Sequence, residues 1–561
     1  MKKLLSLIIL SSALYSCKND FLDVSPKGTL SEAQVAGSPD ELVNSAYASL
    51  GNDHYNTPLS LWPFGNVRSG DAYKGGRDES DIQGFHFLET FKNVRSDLGE
   101  LDGMWFQYYV AIGRVNAALK ALNKLPDSDP IKKNRIAEMR FIRAHWFFQL
   151  KIMFKYVPYF DENVPTNEYA STSNRALNND QLWEKIAGDF QAAADNLPPS
   201  QNEIGRPTKY AALAYLAKTR LYQAYTQDEN HNVTGINAAL LNQVVSLTDQ
   251  VLGSSYGLES DFASNFMLNT ENGKEAIFAI QHSQNDGTKF GRLNFGDVLN
   301  TPQGIGCCDF HKPSQSLANA FKTDASGLPL FSTYNAANLD IASNTVDPRL
   351  NHTVALPGHP WKYDVGTLYQ NSWNRTPEVY GYFASLKENV QKSQYVNMDP
   401  FYGNSKNRII IRYADVVLWK AEALIELNRQ DEALPLINSI RTRAKNSTTL
   451  LKYANGTSEA NYNVDVYKPG VNINWTKENA REALRFERRL EFAMEGVRFF
   501  DLVRWGIADK YLNDYFAVEK DRRKYLKDGS FTKNRDEYLP IPFNQMKFSK
   551  GVYVQNPGYL Q

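Results

Sequence analysis

The sequence predicts a mainly α protein in which tetratricopeptide-like helix pairs support an irregular, loop-rich lobe with few short strands. Three observations lead there. Apolar residues recur at helical spacing through the first and last parts of the chain, in hairpins of about 35–45 residues. Between them, from Ser254 to Asn407, Gly, Pro, Asn and aromatic residues displace that periodicity. With Cys 3 in 561 residues, no disulfide framework or CxxC metal spacing is available, so packing has to hold the fold.

Met104 to Leu122 is apolar at helical spacing and ends near Pro126, and a second helix follows from Ile131 to Phe154. Val157-Pro158 then breaks the pattern, because the residue before proline is driven to extended geometry. Asp180 to Leu197 forms the next helix, stopped at Pro198-Pro199, and Lys209 to Tyr225 its partner. The partner carries Ala211, Ala212, Ala214 and Ala217, small enough for close helix approach. Asn237 to Leu252 is another helix, closed by Gly253.

Helix returns at Tyr413, Val416, Val417, Ala421, Leu424 and Ile425, and again at Ala433, Leu436, Ile437, Ile440 and Ala444. Two amphipathic helices with a short turn at Asn428–Gln430 make an antiparallel hairpin. Pro435 falls near the second helix's start, where its missing N–H matters least. A last helix is expected from Lys477 to Trp505. On it Glu487, Arg488, Glu491, Glu495, Arg498 and Asp501 recur at spacings that suit ion pairs with neighbouring helices.

The N-terminus is a separate signal. Lys2-Lys3, an apolar run from Leu4 to Leu14, and Tyr15-Ser16-Cys17 describe a secretory leader. The run is about 11 residues, too short for a spanning helix of roughly 20. Leu14 three residues before Cys17, with Ser16 between, is the pattern of a bacterial lipoprotein, although Tyr15 stands where a small residue is usual. Cys17 is therefore expected to be acylated, and more than one acyl chain makes such anchoring stable.

Lys+Arg 62 against Asp+Glu 62 argues against a nucleic-acid partner. Gly253-Ser254-Ser255-Tyr256-Gly257 matches GxSxG, but a helix precedes it where a nucleophile elbow needs a strand. No HExxH, P-loop or helix-opening GxGxxG is present, and the eight histidines lack ligand spacing. A glycosidase needs only two carboxylates, which spacing does not reveal.

Aromatic residues in polar loops suit a sugar, whose C–H face meets a flat ring while Asp, Asn and Arg bind the hydroxyls. The candidates are Trp62, Asp71 and Tyr73 in one stretch, and Trp361, Trp373, Arg375 and Tyr380 in another. The plainer alternative is that each aromatic plugs an irregular lobe. Cys307-Cys308, in a Gly-rich turn, is either two thiols or a vicinal disulfide; the oxidised form would give a rigid, partly apolar platform.

Arg412-Tyr413-Ala414-Asp415-Val416-Val417-Leu418, Ala421-Glu422-Ala423 and Arg441-Thr442-Arg443-Ala444 resemble the SusD/RagB family. So do the block from Glu487 to Gly506, Leu539-Pro540-Ile541-Pro542, and Gln555-Asn556-Pro557-Gly558-Tyr559. Arg140–Ala144, Gly205-Arg206-Pro207-Thr208-Lys209 and Asp20-Phe21-Leu22-Asp23 fit as well, so the resemblance spans the mature chain. It divides the chain into a signal peptide (1–16), a lipidated tether (17–30), an N-terminal helical region (31–253), a ligand-binding lobe (254–407) and a C-terminal helical region (408–561).

The resemblance implies four helix pairs and a non-catalytic surface lipoprotein of the outer membrane. Such a protein sits as a lid on a SusC-like TonB-dependent transporter and captures oligosaccharide or polysaccharide. A surface glycoside hydrolase and a helical scaffold that binds only protein are the alternatives. No cofactor is expected, while a structural calcium in the irregular lobe stays open.

Overall fold

Polar side chains at helix starts set the frame. The computed structural model describes residues 39–560; the leader, Cys17 and the tether lie outside them. Asn178 accepts the Gln181 N–H and Gln181 returns the bond to the Asn178 N–H, a capping box that opens one helix. Thr208, Asn237 and Thr476 cap three others through their side-chain oxygens.

The helices of eight or more residues are α1 (Pro39–Leu50), α2 (Gln83–Thr90), α3 (Gly99–Asn123), α4 (Lys132–Phe154), α5 (Asn179–Asn196) and α6 (Lys209–Ala224). They continue as α7 (Ala238–Leu252), α8 (Tyr413–Glu426), α9 (Gln430–Asn446), α10 (Lys477–Glu491) and α11 (Ala508–Arg522). From α3 to α9 each packs on the next, and α10 closes the row against α8 and α9. Ala211, Ala212, Ala214 and Ala217 on α6 are all fully buried, which brings α5 and α7 close on either side.

The third helix pair is α7 with α8, whose sequences are separated by about 160 residues. The irregular lobe is thus an insertion within one helix pair. Four of the strands position it: β1 (Ala72–Gly75), β2 (Ala276–Ile280), β3 (Phe310–Pro313) and β4 (Arg408–Arg412). β2 and β4 pair antiparallel at the root of the insertion and clasp its two ends together. β1 and β3 pair antiparallel, Tyr73 opposite Lys312, and so tie the insertion to the N-terminal part of the chain.

The expected helix from Lys477 to Trp505 is two. α10 stops at Glu491, Met494 and Gly496 adopt left-handed backbone, and helix resumes at Arg498–Arg504. The cause is a crossing: Gly65 packs against the Gly496 carbonyl so tightly that a Cβ on Gly65 would collide with it.

Glu487 and Glu491 on α10 sit in a buried ion network. Arg349 Nη1 reaches Glu487 at 2.6 Å and Glu491 at 3.0 Å, and Arg441 reaches Glu487 at 3.1 Å. Arg412 joins Glu491 (2.6 Å), Glu275 (2.9 Å) and Glu495 (2.8 Å); Arg443 joins Glu275 (2.9 Å) and Glu491. Asp347 on Arg349 and Lys387 on Glu495, at 2.8 and 2.7 Å, complete it. The network holds five acids and five bases, so every charge removed from water has an opposite neighbour.

Burial alone would raise the Glu491 pKa, but Arg443, Arg412 and Arg349 outweigh it and hold the carboxyl well below its usual range. Its folded pKa therefore lies below the unfolded value of about 4.3. The resulting stability is present above that value and is lost as pH falls through the folded pKa. Glu491→Ala should cost about 3–5 kcal/mol in urea unfolding at neutral pH, because three guanidinium groups lose their shared partner. The variant should also lose less stability than the wild type on acidification below about pH 4.

Candidate functional site

The β1–β3 pair gathers nearly all the residues singled out from sequence. Asp71 leads into β1 and Tyr73 lies on it. Cys307 and Cys308 lead into β3, and the Trp62 ring lies 6.2 Å from Phe310 and 5.3 Å from His311. Arg375 donates its backbone N–H to Asp309 at 2.8 Å. Trp361, Tyr369 and Trp373 form one aromatic cluster with centroids 5.6–5.7 Å apart, and Tyr380 stands beside Lys74 of β1.

Most of these side chains face inward, which corrects the expectation that their rings and carboxylate face a ligand. Trp361 is fully buried and donates its indole N–H to the Val390 carbonyl at 2.8 Å. Trp62 donates to the Gly296 carbonyl, and Tyr73 donates to Glu519 while accepting the Gln315 N–H. Tyr380 is buried against Tyr525. Asp71 is spent on Arg489, 2.8 Å away in the interior. The Trp373 indole is covered by the Gly304 backbone, where a Cβ would collide with the ring. These groups build the frame beneath the surface.

The surface itself is formed by three segments. The Gly304–Cys308 turn is the first; Cys307 is half-buried, Cys308 is buried, and their sulfurs are joined as a vicinal disulfide. The second is the loop from Gln370 to Tyr382, with Asn371, Ser372 and Arg375 exposed and the Tyr382 side chain 46% exposed. The third is the Arg77–Asp81 turn. Arg375 Nη1 lies 3.2 Å from Asp81 Oδ2, which also accepts the Arg77 N–H, and Thr376 donates its hydroxyl to the Arg77 carbonyl at 2.7 Å.

A buried cation holds the segments in register. Lys312 Nζ donates to both oxygens of Asp309 at 2.8 Å and to Asn374 Oδ1 at 2.7 Å, an oxygen that also accepts from Tyr369. Burial raises the Asp309 pKa and lowers that of Lys312, so removal from water is the main influence on both. Cys308, Asp309 and His311 all have positive φ, at 82°, 57° and 53°. Such backbone costs on the order of 1–3 kcal/mol per residue and persists only where surroundings over-determine it.

Tyr382, Arg77 and Asp81 were not singled out from sequence. Tyr380 and Tyr382 flank Gly381 in identical company, and only burial separates the inward ring from the outward one. Among the described residues, no group of three or more His, Cys, Asp or Glu is arranged to hold a metal ion. Nor is any helix among them long and apolar enough to cross a membrane.

Helix pairs in a row, with a lobe inserted in the third and a polar surface on that lobe, define a helical-repeat protein with an inserted lobe. Residues 274–559 match the profile of the SusD family, and the chain belongs to that family. Residues 20–221 match a profile described as "Starch-binding associating with outer membrane". SusD-like protein P2 of Formosa agariphila is 24% identical over 574 residues, covering 100% of both chains. A SusD-like protein of Bacteroides ovatus is 25% identical over 584 residues, covering 100% of this chain and 92% of its own. Among solved structures, surface glycan-binding protein A from Bacteroides thetaiotaomicron, in complex with laminarihexaose, superposes with a TM-score of 0.66 at 20% identity. The match covers 92% of this chain and 98% of that one.

Trp361→Ala should lower stability by about 3–5 kcal/mol, the cost of emptying a core aromatic site, with urea unfolding as the measurement. A ligand-facing tryptophan would unfold unchanged.

Proposed function

We propose that this chain is a non-catalytic cell-surface lipoprotein that captures an oligosaccharide. It delivers the sugar, as a lid, to a SusC-like TonB-dependent outer-membrane transporter. The observation that carries the reading is the loop with exposed Tyr382, Arg375, Asn371 and Ser372, together with the half-buried Cys307, on a rigid frame. One exposed ring offers a face to a sugar's C–H surface, and the exposed polar side chains of the same loop offer hydrogen bonds to hydroxyls. Rigidity matters because ordering a loose loop would consume binding free energy. The laminarihexaose complex of a relative with the same fold supports a glycan as the ligand class.

Anchoring rests on Cys17 and the leader before it. The outer-membrane description of the profile matched by residues 20–221 supports that location.

Affinity electrophoresis of the purified protein against a panel of polysaccharides tests the binding claim. Retention without release of smaller sugars is expected, and product formation overturns the non-catalytic reading. Tyr382→Ala and Arg375→Ala should each weaken retention about tenfold, the loss of one good contact, without changing urea unfolding. If neither does, that loop is not the sugar site.

Cys17→Ala should move the protein from the membrane fraction to the soluble fraction. Continued membrane attachment would defeat the anchor assignment.

A further inference from the structure

Where the insertion meets the helices lies a cavity of about 120 Å³. Its wall comes from the turn at Leu59–Trp62, from α4 and α6, from the insertion, and from the bend after α10. The space suits a group of about five heavy atoms, since a cavity of about 150 Å³ holds benzene.

Most charged groups on this wall are matched. Arg408 pairs with Asp53, Lys387 with Glu495 at 2.7 Å, and His311 with Glu388 at 2.6 Å. Asp297 accepts from the Ser60 hydroxyl at 2.6 Å and the Asn294 amide at 2.7 Å.

Lys218 and Lys406 are different. Among the described residues neither has a carboxylate within 4.0 Å. Lys406 Nζ makes one long bond, 3.4 Å, to the Asn407 carbonyl. Lys218 Nζ lies 5.1, 5.5 and 5.8 Å from the rings of Phe148, Tyr215 and Trp419. The acids that act on Lys406 from further off are Asp297, Glu271, Glu388 and Glu495; on Lys218 they are Asp415 and Asp501. Three more polar atoms of wall residues are buried without a protein partner: Gln149 Oε1, Asn294 Oδ1 and Arg408 Nε.

Lys406 is buried and Lys218 half-buried; an ammonium drawn out of water without a close counter-charge is costly, and a buried acceptor without a donor adds to that cost. One ligand chemistry answers both. We propose that the cavity binds a small oxyanion carrying an O–H, of hydrogen-phosphate or lactate size. Lys218, Lys406 and Arg408 Nε meet its negative oxygens, and either Gln149 or Asn294 accepts from its hydroxyl. Burial lowers the pKa of both lysines, that of Lys218 to about 8, and a bound anion holds them charged. Because scaffold and insertion both supply the wall, the anion pins the lobe to the helices.

The test is isothermal titration and thermal unfolding of the detergent-solubilised full-length protein with phosphate, lactate, sulfate or acetate at constant ionic strength. Saturable binding and a raised Tm are expected with phosphate or lactate, whichever is the better fit. Sulfate, fully ionised, and acetate lack the hydroxyl and should bind at least about tenfold more weakly. Lys406→Met should abolish saturation while leaving Tm in chloride buffer equal or higher, since it removes the uncompensated charge. Lys218→Met should weaken binding about tenfold or more. Equal Tm increments in wild type and Lys406→Met, or no saturable heat with any of the four, would overturn the proposal.

Discussion

The inserted lobe and three consecutive helices, α8, α9 and α10, meet at Glu491. Its carboxylate, fully buried near the end of α10, is shared by Arg349 from the insertion, Arg412 at the start of α8 and Arg443 on α9. A charge in that position tolerates no other arrangement of its surroundings, because any guanidinium that drifts away leaves a bare ion out of water. The hydrophobic core is broad and forgiving about direction, whereas this network is directional. It decides how α8, α9, α10 and the inserted lobe are oriented around one another.

The surface above depends on the same economy at smaller scale. Three left-handed residues in the 308–311 stretch would relax if free, and Lys312, Asp309 and Asn374 prevent it. The aromatic cluster of Trp361, Tyr369 and Trp373 supplies a floor that does not yield. The turn bearing Cys307 is thereby presented as a fixed shape while the groups that hold it stay out of sight.

How much of this could be read from the sequence differs by level. Helical spacing from Met104 to Leu252 and from Tyr413 to Ala444 located the helices, because burial on one face leaves a periodic imprint. Glu487, Glu491 and Asp501 were legible as ion-pairing positions for the same reason. The break after Glu491 was not, since it arises from a crossing with Gly65, more than four hundred residues earlier in the chain. In the lobe, Trp361 and Tyr382 are both aromatic, both beside glycine or proline, and opposite in exposure. Irregular chain has no period, so direction there is set by tertiary contacts that a single sequence does not display.

The division of the third helix pair has a consequence for how the protein is made. α7 emerges from the ribosome about 160 residues ahead of α8, against which it packs. The row of helices therefore cannot be finished in the order of synthesis. Closing that long loop precedes any gain from the contact, which slows folding and leaves the apolar face of α7 uncovered for the interval. The clasp of β2 on β4 shortens the effective loop to the 23 residues between α7 and β2, because β4 runs directly into α8, so its formation is the natural gate to completing the row.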